Sequence, residues 1–175
     1  NKARVTRDID VLARQIHNSQ DNIKEIMKAV CQIEVDDALR FDAASILVDD
    51  IAEDDDYHGV RFVIIAYLGK AKIHLQMDIG FSDIIYPEPK EIEYPSLLEL
   101  EAPKLLGYPI EAVIAEKYEA MISLGIRNSR YKDFYDILYL SQTHELDGTI
   151  LQRALVGTFQ RRGTEFIGKI YESEY

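Results

Sequence analysis

The sequence predicts an α+β protein, in which a sheet with flanking helix forms the first part and a helical bundle the second. Three observations support this. Runs rich in β-branched and aromatic residues, among them "GVRFVIIAYLG" and "AKIHLQMDIGF", concentrate before residue 85. All five prolines fall between residues 86 and 109, where they hold the chain to extended and turn conformations. Beyond 110, apolar residues recur at helical spacing in three successive segments. The division is therefore a sheet-containing core at 1–85, a Pro-rich connection at 86–109 and a helical region at 110–175.

Near the start of the sequence, residues 4–13 read "RVTRDIDVLA", a short apolar strand in which alternation sends Asp8 and Asp10 to one side and Ile9 and Val11 to the other. "HNSQDNIKEIMKAVCQI" then places Ile23, Ile26, Met27, Val30 and Ile33 on one helical stripe, with Asn18 or Ser19 as N-cap. "ALRFD" and "SILVDDIAE" read as two short strands, and the acidic run "DDIAEDDDYHG" as a solvated strand edge and loop. A hairpin follows, its strands separated only by Gly69 and Lys70. In its second strand Lys72, His74, Gln76 and Asp78 share one face and Ala71, Ile73, Leu75, Met77 and Ile79 the other. Residues 86–109 read as a loop-like crossover with a short apolar segment at 97–100. The helical region comprises 110–125, ended by Gly125, then 130–144, and 147–163, capped by Asp147. The tail "TEFIGKIYESEY" reads as a further short helix.

Composition narrows the function. The chain has 175 residues, enough for one core plus a small helical appendage, and its 47% hydrophobic content makes it globular. A net charge of −11 and a pI near 4.8 argue against a general nucleic-acid or anionic-membrane binder, since both need a basic footprint. The single cysteine, Cys31, excludes a disulfide framework and reads as a small core residue. No apolar run is long enough to span a bilayer and no signal-peptide pattern is visible, so the expected compartment is the cytoplasm.

Several charges sit where packing alone would not put them. Asp8 and Asp10 repel each other on one strand face unless a cation lies between them or water solvates both. Lys117 falls on the stripe of Ile110, Val113, Ile114, Met121 and Leu124, where it either snorkels to water or meets anionic oxygens in a cleft. Asp133 lies in a segment that is apolar nearly all round and so reads as buried, although a surface ion pair with Arg130 would also explain it. If their strands are neighbours, Asp8, Asp10 and Asp78 could converge on Mg²⁺, leaving coordination open for phosphate oxygens, with Lys117 neutralising a triphosphate. Lys117 and Asp133 would then face the same cleft as the aspartate pair.

Four blocks in order, "RVTRDID", "LQMDIGF", "IAEKYEAM" and "SRYKDFYDILYL", resemble the AbiEii type of nucleotidyltransferase-like toxin, of the DNA polymerase β-like nucleotidyltransferase superfamily. The resemblance runs through nearly the whole chain. It implies an Mg²⁺-dependent enzyme that transfers nucleotides from an NTP to an RNA acceptor, such as the 3′ end of tRNA, and is opposed by a cognate antitoxin. By position Asp8 and Asp10 match the metal-binding pair, preceded by Arg4 and Thr6 as binding residues. Lys117 matches the lysine of a Lys-x-x-Ala block that continues to Ala120, and Asp133 the acidic residue of the last block, with Arg130 and Asp136 alongside. Asp78 stands where a third strand carboxylate is expected.

The superfamily also places a Gly-Ser or Gly-Gly segment ahead of the Asp-x-Asp strand, where helix N-terminal amides cradle phosphates. The first glycine here is Gly59, so the expectation is an N-terminally truncated fragment or a degenerate paralogue. Two rival readings rank below the transferase: an inactive nucleotidyltransferase-fold binding protein, and a metal-dependent nuclease. The nuclease ranks last, because that class commonly pairs its aspartate with an acid-x-Lys on the next strand, whereas "MDIGF" has no lysine.

Overall fold

The computed structural model describes residues 8–17, 19–54, 57–81, 85–96 and 101–165. Arg4, Thr6, the 97–100 segment and nearly all of the predicted C-terminal helix lie outside the described residues. The chain divides into two compact units, Asn1–Ile84 and Ile85–Tyr175.

The first unit is a four-stranded mixed sheet covered on one face by a helix. Its strands are β1 (Asp8–Leu12), β2 (Leu39–Asp54), β3 (Tyr57–Leu68) and β4 (Ala71–Gly80), arranged β1-β4-β3-β2, and its helix is α1 (Gln20–Cys31). Alternation is clearest on β3, where Val60, Phe62, Ile64 and Ala66 are buried between more accessible neighbours. Ile79, Met77, Leu75 and Ile73 lie opposite them on β4, and Ile23 of α1 joins this core. Burying each such large side chain contributes about 1.5–3 kcal/mol. The β3–β4 turn is the predicted two-residue one, and Gly69 takes φ +58° at the position where a II′ turn requires glycine. Helix α1 begins where Ser19 Oγ accepts a hydrogen bond from Asn22 N–H.

Two expectations need correction in this unit and two in the next. "ALRFD" and "SILVDDIAE" belong to one strand, β2, whose register against β3 shifts between Asp42 and Leu47. Side chains absorb the shift: Ser45 Oγ donates to Asp42 O and accepts from Ile65 N–H, and Asp42 Oδ1 accepts from Ala44 N–H. The detour turns Ile46 into the core. Of the predicted stripe only Ile23 is fully buried, and Val30 and Ile33 are exposed, because the face of α1 on the core runs through Ile23, Met27 and Cys31, four residues apart, which turns Val30 off it, and Ile33 lies beyond the helix end.

The second unit holds β5 (Lys90–Glu93) and β6 (Lys104–Gly107), paired antiparallel, and the helices α2 (Ile110–Leu124), α3 (Tyr131–Thr143) and α4 (Gly148–Arg161). The β5–β6 pair lies within the segment expected to be a plain crossover. Each strand is only four residues long and fits between prolines, which break pairing but do not prevent short ladders. Helix α2 packs against both α3 and α4, with Ala112, Ile114 and Ala115 buried and Tyr118 tilted against Phe159. Asp147 caps α4 by accepting from the N–H groups of Thr149 and Ile150.

Contrary to expectation, α3 is not buried. Tyr131, Phe134, Tyr135 and Leu138 are exposed, and the residue this helix turns inward is Asp133. An ion-pair network occupies the position an apolar contact would otherwise take.

Candidate active-site residues

On the strands, hydrogen-bond register decides which charges meet. β1 and β4 are parallel, with Asp8 opposite Gln76 and Asp10 opposite Asp78. β3 and β4 are antiparallel, with Arg61 opposite Asp78, and β2 brings Asp49 opposite Arg61. Residues directly opposite point to the same face. One row therefore crosses the sheet on the face away from the core: Asp10, Asp78, Arg61, Asp49. Asp8 and Gln76 form the beginning of the next row. The side chain of Asp8 lies outside the described ones.

Adjacent carboxylates on neighbouring strands repel, and the row contains its own counter-charge. Arg61 Nε donates to Asp78 Oδ1 at 2.8 Å and Nη2 donates to Oδ2 at 2.7 Å, a two-pronged guanidinium–carboxylate contact. Gln76 Nε2 also reaches Asp78 Oδ1, at 3.4 Å. Among the described residues no three His, Cys, Asp or Glu side chains are gathered closely enough to hold a metal ion. The oxygens of Asp10 and Asp78 are nevertheless the hard, anionic donors that Mg²⁺ takes, set side by side by the ladder. The donor chemistry fits the ion.

The helical residues gather as a second cluster. Asp133 is 0% exposed, and Lys117 Nζ donates to its Oδ1 at 2.8 Å. The same ammonium lies 3.0 Å from Asp136 Oδ2. Arg130 Nε stands 2.7 Å from Asp133 Oδ2, but off the line a hydrogen bond needs, so charge rather than a directed hydrogen bond holds that oxygen. Asn128 Oδ1 accepts from Arg130 N–H and so fixes the start of α3. All four residues singled out in the helical region therefore meet. Lys117 neither snorkels away from its stripe nor forms a plain surface pair, and two cations balance two carboxylates.

Several residues of these clusters carry no clear mark in the sequence. Arg61 is the exception: counting outward from the Gly69–Lys70 turn sets it opposite Asp78. Glu119, 2% exposed, is held by Arg162 Nη1 at 2.7 Å and by Thr164 Oγ1. No local signal connects residues that far apart in sequence. Burial pushes the Cys31 thiol above its ordinary pKa, in keeping with a partly buried packing residue.

The family model for "Nucleotidyl transferase AbiEii toxin, Type IV TA system" matches residues 1–174. The chain belongs to the AbiEii family. Its α+β architecture, a mixed sheet followed by helices, is consistent with a nucleotidyltransferase-like fold. A solved structure described as "Crystal structure of JHP933 from Helicobacter pylori" is similar at 18% identity and a TM-score of 0.48, over 90% of this chain and 64% of that one. The chain thus spans 64% of the length of that relative. No curated protein sequence matches it. No helix among the described residues is long and apolar enough to cross a membrane.

In this AbiEii chain the matched blocks divide between the two units. The Asp-x-Asp pair and Asp78 belong to the first, and Lys117, Arg130, Asp133 and Asp136 to the second.

Proposed function

We propose that the protein is the toxin of a type IV toxin–antitoxin system and transfers a nucleotide from an NTP to an RNA acceptor, the 3′ end of tRNA being one of that class, in the cytoplasm and with Mg²⁺. The observation that bears most weight is the register pairing of Asp10 with Asp78 in a chain of the AbiEii family. In the transfer, an acceptor hydroxyl oxygen bonds to the α-phosphorus and loses its proton, the bond to the bridging oxygen of the β-phosphate breaks, and pyrophosphate leaves.

Asp8, Asp10 and Asp78 would hold Mg²⁺, which supplies charge neutralisation for the triphosphate and the departing pyrophosphate. The protein's own groups do the rest. The strand ladder fixes the spacing of the carboxylates, so no backbone reorganisation is needed when charge builds up. Lys117 has three N–H donors, and Asp133 and Asp136 orient two of them, which leaves one for a phosphate oxygen. Asp133 thereby acts as an anchor for that lysine, and Arg130 sets a second positive charge against its buried carboxylate. Arg4 and Thr6 are proposed as further nucleotide contacts, and a cognate antitoxin as the regulatory partner.

The test is incorporation of labelled nucleotide into RNA by the protein with Mg²⁺. Asp8→Asn and Asp10→Asn should nearly abolish it and Lys117→Ala should weaken it, each in folded protein. Undiminished labelling by Asp8→Asn would refute the aspartate mechanism, and absence of labelling by the wild type would leave a binding protein of the same fold as the better account.

A further inference from the structure

Arg61 sets its planar guanidinium against both oxygens of Asp78, which the proposed function makes a metal ligand. A divalent cation arriving at Asp78 therefore meets a donor that is already occupied, and a unit positive charge beside it. The ladder also provides for release. Asp49 lies opposite Arg61 on the other neighbouring strand and on the same face, and the Arg61 side chain is 44% exposed, so packing does not lock its head group in place.

We propose that Arg61 is a positioning residue of the carboxylate row: it holds Asp78 while no cation is bound and turns toward Asp49 when a divalent cation takes Asp78. The inference rests on the reading of Asp8, Asp10 and Asp78 as the ligands of that cation. Arg61 thus serves two ends. It keeps adjacent like charges tolerable when no cation is bound, and it sets a threshold that a cation must overcome to enter. A lysine would do this poorly, since its point charge cannot bind both oxygens of Asp78 in one plane.

The test uses Mn²⁺ alone, without nucleotide, with free Mn²⁺ followed by electron paramagnetic resonance. Arg61→Gln removes the competing charge, and Mn²⁺ should bind about tenfold more tightly, the factor a unit charge exerts on a doubly charged ion about 6 Å away in water-like dielectric. Asp10→Asn, run in parallel, should weaken binding. If Asp10→Asn binds Mn²⁺ as the wild type does, the metal-site reading fails and takes the inference with it. If Asp10→Asn weakens binding while Arg61→Gln binds no more tightly than wild type, the role of Arg61 alone is overturned. A readout on the unaltered protein covers the case in which Arg61→Gln folds poorly. The ¹⁵N–¹H signal of Arg61 Nε, assigned by its loss in Arg61→Lys, should shift as Mg²⁺ is added. A signal that stays in place while Mg²⁺ saturates the Asp10-dependent site would refute the exchange of partners.

Discussion

Replacing Lys117 by methionine tests whether the helical cluster is a buried network or a surface pair. The methionine keeps most of the side-chain volume and removes the ammonium, so the change reads charge more than packing. Lys117 is 22% exposed and donates to a carboxylate with no exposure at all. Removing it leaves Asp133 with Arg130 Nε alone, in a contact without hydrogen-bond geometry. A lost charge-assisted hydrogen bond is worth about 1.5–3 kcal/mol, and stranding a buried carboxylate brings the cost of breaking such pairs to about 3–5 kcal/mol. Arg130 and the partial exposure of Lys117 soften this, so a loss of about 2–4 kcal/mol is expected. The assay is urea denaturation followed by circular dichroism, with the transition of the helical unit resolved if the two units melt separately. The double variant Lys117→Met with Asp133→Leu should lose less than Lys117→Met alone, because no carboxylate is then left stranded. A single-variant loss below about 0.5 kcal/mol, typical of exposed pairs, would refute the reasoning.

Other substitutions test individual elements. Ser45→Ala strips the β2 bulge of the hydroxyl that receives Ile65 N–H and should cost about 1–2 kcal/mol in the same assay, whereas a neutral result would mean the shift is held elsewhere. Gly69→Ala should cost about 1 kcal/mol from backbone conformation alone, as a Cβ there meets nothing within 4 Å. Asp147→Ala removes a cap with two acceptor contacts and should cost about 1 kcal/mol, read as a lower melting temperature. Cys31 should alkylate more slowly at pH 8 than an unfolded-chain thiol. Its raised pKa means a smaller thiolate fraction at that pH, and denaturant should abolish the difference.

Much of this architecture is legible in the order of residues alone. Period-two alternation and a two-residue turn define the β3–β4 hairpin, and with it the face that bears Asp78. Helical spacing locates α1, α2, α3 and α4 to within a few residues. The same spacing does not show that α3 turns Asp133 inward and leaves Tyr131 and Leu138 to solvent, because apolar content says nothing about which side has a neighbour. It also splits β2 in two, since a bulge held by Ser45 has no pattern of its own. The pairing of Asp10 with Asp78 depends on β1 adding in parallel to the far side of the hairpin, a long-range choice that local propensity does not encode. Arg61 is within reach of register counting, and only its position opposite Asp78 gives it meaning.

The central claim is nucleotidyl transfer dependent on the aspartates of the sheet row, and the most direct measurement compares two labels. The protein is incubated with Mg²⁺, RNA and an NTP labelled at either the α- or the γ-phosphate. The account predicts that the α-label moves to RNA and the γ-label leaves as pyrophosphate, and that Asp10→Asn stops both while retaining the wild-type circular dichroism spectrum. Transfer of the γ-label to RNA, or α-labelling by Asp10→Asn equal to wild type, would contradict it.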